Sequence, residues 1–160
     1  MKRFMKFLSI LFSVLMLTTS CSTGKKIEYG TIENPLTVEE YIANLENLDV
    51  GVLSEQEMYF KGSVKEINKK DNFGSYDITI ESVKKVIVNS GVLNSGLNEP
   101  AVGDVVYAKG YAKRFMGDEL TYSMAYCVVN NAPYNPTIYK IETGSSIDPV
   151  TPVIPVEGMG

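Results

Sequence analysis

Residues 102–129, VGDVVYAKGYAKRFMGDELTYSMAYCVV, decide the fold, because they read as two long strands folded about Gly117-Asp118. Glycine at the first central position of a two-residue loop supplies the positive φ of a type II′ turn, and aspartate is tolerated beside it. Val106, Ala108, Gly110 and Ala112 then share one face of the first strand, with Tyr107, Lys109, Tyr111 and Lys113 on the other. Leu120, Tyr122, Met124, Tyr126 and Val128 form the bulky face of the second. A two-stranded ribbon is marginal in water, so further strands must cover its apolar side.

The upstream sequence supplies them. Met58, Phe60, Gly62 and Val64 alternate with Tyr59, Lys61, Ser63 and Lys65, and Tyr76, Ile78 and Ile80 alternate with Asp77, Thr79 and Glu81. The patterns predict strands over 58–67, 74–81, 84–89, 104–115 and 119–129, with a further extended segment over Thr137–Ile141. Before them Thr37 and Glu40 form a capping box, and Leu36 is placed to staple onto Tyr41. Val38, Tyr41, Ile42, Leu45 and Leu48 recur at helical spacing, which predicts an amphipathic helix over 38–48. One helix and five short strands, with a long connection between the third and fourth, specify an all-β domain over 33–141. The expected form is a small five-stranded OB-like barrel with one N-terminal α-helix.

Four stretches carry a family resemblance. They are Gly30-Thr31-Ile32-Glu33-Asn34-Pro35-Leu36-Thr37-Val38, Phe60-Lys61-Gly62-Ser63-Val64, Phe73-Gly74-Ser75-Tyr76, and Val102-Gly103-Asp104-Val105-Val106 followed by Lys109-Gly110. Together they resemble a family of OB-fold lipoproteins from Gram-negative anaerobes, described as nucleic-acid-binding-like OB domains. The resemblance spans roughly residues 30–129, and its motifs are structural. It implies a fold and an exported, lipid-anchored setting without naming a ligand. Pro100 and the Gly and Asn residues before it stand where many OB domains place a helix. Without that helix, closing the barrel bottom falls to residues 38–48.

The amino terminus gives an address. MKRFMKFLSILFSVLMLTTSC begins with Lys2, Arg3 and Lys6, and its apolar run from Phe7 to Leu17 is shorter than the ~20 residues of a spanning helix. Residues 1–20 therefore read as a secretion signal. Leu17-Thr18-Thr19-Ser20-Cys21 resembles a bacterial lipobox, with Thr18 where the strict pattern has leucine, and implies acylation of Cys21. The alternative is an ordinary signal peptide, leaving Cys21 free or paired with Cys127. Residues 21–32 then form a tether, and the absence of an acidic run after Cys21 places the anchor in the outer membrane facing the periplasm. At the other end, residues 142–160 form a tail in which Pro149, Pro152 and Pro155 suit either a polyproline II docking peptide or a loose extension.

Composition narrows the chemistry. The chain has no histidine, which removes the commonest general base and metal ligand, and no nucleophile has a partner base. Asp71, Asp77 and Glu81 lack the spacing of a calcium loop, and no phosphate-cradling glycine motif occurs. A non-enzymatic chain without cofactor or metal is expected, with Cys127 a small buried residue rather than a reactive thiol. Binding is the remaining work. Tyr59, Lys61, Tyr107, Lys109, Tyr111 and Lys113 alternate rings with ammonium groups on two strands that pair in an OB barrel. That surface suits a glycan or an envelope protein, alternatively single-stranded nucleic acid, which stacks bases on rings and tracks phosphates with lysines. It is also how a plain solvent-facing strand looks. The net charge of −4, more acidic once the signal is removed, disfavours nucleic acid.

Overall fold

Thr37 starts the helix of the computed structural model, which describes residues 25–70, 74–80 and 84–144. Its hydroxyl accepts from the Glu40 N–H at 3.2 Å while its own N–H donates to the Glu40 carboxylate at 2.8 Å, so the expected capping box forms. Helix α1 (Val38–Leu45) buries Val38, Tyr41, Ile42 and Leu45. It stops short of Leu48 because Asn47 and Leu48 donate back to Asn44 and Leu45, which tightens the chain into a turn.

Strands dominate the rest: β1 (Met58–Lys70), β2 (Ser75–Ile80), β3 (Val86–Leu93), β4 (Val105–Gly110), β5 (Ala112–Met116), β6 (Leu120–Met124), β7 (Cys127–Val129), β8 (Ala132–Tyr134) and β9 (Thr137–Glu142). The domain is all-β with one helix among the described residues. Residues 94–104 contain no helix, and α1 covers the apolar side. Tyr41 stacks on Phe60 with ring centroids 4.4 Å apart. Around that pair Met58, Ile78, Ile80, Val86, Val88, Val106, Ala108, Met124 and Ile138 are buried as alternation requires.

The sheet has seven strands in the order β2-β1-β4-β9-β3-β6-β5, with β2 also paired to β3, so the expected five-stranded barrel is corrected: β5 and β6 extend the sheet, and β9 rather than residues 119–129 lies beside β4. The decisive stretch is where the difference arises. Residues 104–115 are not one strand: β4 pairs with β1 and β9, whereas β5 pairs with β6. The switch occurs at Gly110, where a Cβ would meet Met124 at 3.0 Å and the Pro136 backbone at 3.2 Å, so only glycine packs there without displacement. Residues 119–129 break too. Ala125 donates its N–H to Tyr111 at 3.1 Å, the alternation slips, and Tyr126 and Val128 emerge on the exposed side instead of the bulky inner face.

The turns differ as well. Met116 pairs with Leu120 across three residues, and Gly117 does not carry a positive φ, so the expected type II′ turn is absent. Left-handed residues appear instead at Asn130 (φ 51°) and Asn131 (φ 62°), between the paired Val129 and Ala132. That is a type I′ turn, and it folds β7 onto β8 as a separate two-stranded ribbon. The segment after it, not residues 119–129, lies beside β4: β9 pairs Tyr107 with Lys140 and Lys109 with Thr137. Part of the segment read as a tether is also docked, since the Glu28 N–H donates to the Asn44 side-chain oxygen at 2.7 Å and the Tyr29 carbonyl accepts from the Tyr59 N–H at 2.7 Å.

Candidate functional site

Register brings four of the six candidate residues into one block. Across the antiparallel β1–β4 pair, Tyr59 faces Lys109 and Lys61 faces Tyr107. Rings and ammonium groups therefore alternate both along and across the strands. The third strand extends the block. Pairing between β4 and β9 steps from Tyr107–Lys140 to Ala108–Ile138, which leaves Tyr139 as an extra, bulged residue. Its ring lies edge-on to both Tyr59 and Tyr107, with centroids 6.1 Å apart in each case.

Tyr111 joins from the break between β4 and β5, where its ring meets Tyr134 edge-on at 5.1 Å. The Tyr134 hydroxyl donates to Glu57, and the same carboxylate lies 3.9 Å from Lys109. Tyr59, Tyr107 and Tyr139 thus form one ring cluster and Tyr111 and Tyr134 a second, and Glu57 and Lys109 join the two into one surface. Beside it a groove of about 350 Å³ runs between the start of α1 and Lys61, Tyr107 and Glu142.

Two lysines on this surface, Lys109 and Lys140, have carboxylate partners. Lys140 donates to Glu142 at 2.6 Å, which holds the Glu142 carboxyl below and the Lys140 ammonium above their ordinary ranges. Burial and then the Glu57 carboxylate push the Tyr134 hydroxyl upward. The Tyr139 hydroxyl is buried without a hydrogen-bond partner, and burial above all pushes its pKa up to about 12. A hydroxyl left unpaired in this way is an unmet hydrogen-bonding demand at the centre of the tyrosine cluster.

Two candidate residues sit differently from expectation. Tyr107 is only 8% exposed, because Lys61 and Lys140 lie over its ring at 5.7 and 4.5 Å from the centroid. Its face is covered by cations rather than offered for stacking, and Tyr59, Tyr111, Tyr134 and Tyr139 are the half-exposed rings. Lys113 lies on β5, paired with Ser123 of β6, and the β1–β4–β9 pairings do not reach it. Its charge acts instead on Cys127, whose thiol is half-buried and pushed up chiefly by that burial.

The remaining expectations divide. Cys21, the signal 1–20 and most of the tail 142–160 lie outside the described residues, as do Asp71 and Glu81. Asp77 pairs with Lys70 at 3.0 Å and accepts from the Ser90 N–H at 2.7 Å. Among the described residues no three His, Cys, Asp or Glu side chains gather as a metal site, and no helix is long and apolar enough to cross a membrane. Sequence comparison with models of protein families and with curated proteins finds no match. Tyr134, Tyr139 and Lys140 are not among the residues expected from sequence: alternation sends the adjacent Tyr139 and Lys140 to opposite faces, and the β9 bulge is what brings both against Tyr107.

Proposed function

We propose that this chain is a non-catalytic binding module, displayed outside the cytoplasm on a lipid anchor at Cys21, that uses its tyrosine surface to hold a glycan or an envelope protein. The contact of Tyr139 with both Tyr59 and Tyr107 carries the reading, since it joins rings from three strands into one surface. Rings on a rigid sheet give large contact area at low entropic cost, and sugars pack their C–H faces on them. Charge argues the same way. Nucleic acid asks for cations available to phosphate, whereas Lys109 and Lys140 already have Glu57 and Glu142 beside them.

An OB-like architecture fits the pairing pattern. Strands β1, β2, β3, β9 and β4 form a circuit of neighbours in which only β3–β9 is parallel, and the β5–β6 hairpin is an addition hung on β3. Such folds serve oligosaccharides as well as oligonucleotides.

The test measures the full chain against a glycan array, solubilised envelope proteins and a labelled oligodeoxynucleotide at low and high salt. Retention of a glycan or protein that resists salt and is lost in the Tyr59→Ala/Tyr111→Ala double variant is expected. Oligonucleotide binding that falls steeply with salt would instead favour the nucleic-acid alternative. Intact mass of the membrane-extracted protein tests the anchor, and an unmodified Cys21 would remove it.

A further inference from the structure

A second concavity shares no lining residue with the tyrosine surface. It has a volume of about 410 Å³ and is lined by Lys70 at the end of β1, Ser75 of β2, Ser90 and Val92 of β3, and Tyr126 and Asn135 flanking the β7–β8 ribbon. Its wall contains the strained backbone of Ser90, a non-glycine residue with φ 55°. The strain belongs to a bulge. Pairing between β2 and β3 steps from Tyr76–Gly91 to Ile78–Val88, so Asn89 and Ser90 together oppose the single residue Asp77.

That bulge is held from every side. The Ser90 N–H donates to Asp77 at 2.7 Å, its hydroxyl accepts from Lys70 at 3.0 Å, and its carbonyl accepts from the Asn135 amide at 2.9 Å. Lys70 and Asp77 are themselves 3.0 Å apart. Backbone strain persists only where the surroundings over-determine it, and such places concentrate at ligand sites. Here the outcome is a wall presenting an ammonium, an amide and hydroxyls beside Tyr126, which is 48% exposed, while Asp77 pairs with the Lys70 ammonium.

We propose that this cavity is a saccharide subsite, in which a neutral pyranose lays its C–H face on Tyr126 and exchanges hydroxyl hydrogen bonds with Asn135, Lys70 and the lining serines Ser75 and Ser90. Three features select that chemistry. The lysine is already neutralised by Asp77, which removes the drive to take a phosphate. The mixed donors and acceptors suit hydroxyls, each of which both gives and receives a hydrogen bond. The volume falls within the range of small-ligand sites and admits a short oligosaccharide. The site shares no lining residue with the tyrosine surface and does not depend on the reading of that surface.

The test titrates the full chain with cellobiose, maltose and N,N′-diacetylchitobiose, with glucose 6-phosphate as the charged comparator. Tyrosine fluorescence serves as the readout, since the chain has no tryptophan. Saturable millimolar binding of at least one neutral disaccharide, weakened about tenfold by Tyr126→Ala and by Asn135→Ala, is expected. Tyr126 is exposed, so its removal leaves the fold standing and keeps the test readable if Asn135→Ala unfolds. No saturable binding of any of the three, or binding indifferent to Tyr126→Ala, overturns the proposal. So does tighter binding of glucose 6-phosphate than of the neutral sugars. If Tyr59→Ala rather than Tyr126→Ala abolishes binding, the sugar sits on the tyrosine surface and the cavity assignment falls.

Discussion

Lys140 holds its ammonium 4.5 Å from the centroid of the Tyr107 ring while donating to Glu142 at 2.6 Å. One side chain thus joins a ring on β4 to a carboxylate on its own strand, and it converts Tyr107 from an exposed aromatic into a covered one. A cation over a ring face is a weak attraction at an exposed site, so the arrangement governs access more than stability. Lys140→Ala is expected to leave the fold intact and raise the rate at which tetranitromethane nitrates Tyr107, read by mass spectrometry. An unchanged rate would mean that the lysine is not what shields the ring.

The unpartnered hydroxyl of Tyr139 gives a prediction of opposite sign to most core changes. Burying a hydroxyl without a partner costs free energy that phenylalanine does not pay. Tyr139→Phe should therefore be neutral or stabilise by up to about 1 kcal/mol in urea denaturation. Tyr134→Phe should destabilise, because it removes the donor to Glu57. Equal losses in the two variants would show that the Tyr139 hydroxyl has a partner after all.

Gly62 sits on β1 where α1 crosses it, and a Cβ there would lie 2.7 Å from Val38 and closer still to Ile80. Gly62→Ala must push the helix or β2 outward, at a cost of about 1–3 kcal/mol. Gly51→Ala probes another effect, since its φ of 87° is strained for alanine although nothing lies within 4 Å. If packing is the cause at Gly62, trimming Val38 to alanine as well should recover part of the loss. Additive losses in the double variant would argue against contact.

Local signals were legible where neighbours in sequence decide the outcome. The Thr37–Glu40 box and the alternation of Met58, Phe60, Gly62 and Val64 act within a few residues, and both stand as expected. The registers of Tyr59 with Lys109 and Lys61 with Tyr107 also bear out the expected meeting of β1 with β4. What failed depended on distant partners. Residues 102–129 alternate cleanly, yet the close approach of Met124 and Pro136 to Gly110 lets the chain leave one sheet neighbour for another. Period-two patterning cannot report that, because it records which face a residue takes and not which strand lies beside it. Tyr139 and Lys140 were missed as site residues for the same reason.

The carboxylates predict a one-sided pH response. Hydrogen bonding from Lys84, and then from Tyr122, lowers the Glu46 pKa, while Lys69 lowers Glu99 and Lys140 lowers Glu142. A carboxyl whose folded pKa lies below its unfolded value contributes stability that is complete above the unfolded pKa and disappears as pH falls through the folded one. The partner amines Lys84 and Lys140 are shifted upward, so their contribution is complete below the ordinary lysine range and lost only as pH rises through the raised values. Between about pH 6 and 9 neither set changes protonation, and below about pH 5 the acids begin to protonate. The urea midpoint should accordingly be flat across the neutral range and decline on the acid side. Glu46 is substantially exposed, so solvent screening keeps its share small at neutral pH. Its signature lies in the slope: Glu46→Gln should make the acid decline shallower than in the parent, because one proton-linked group has gone. An acid limb of unchanged steepness would show that the contacts of Glu46 with Lys84 and Tyr122 do not contribute to folding.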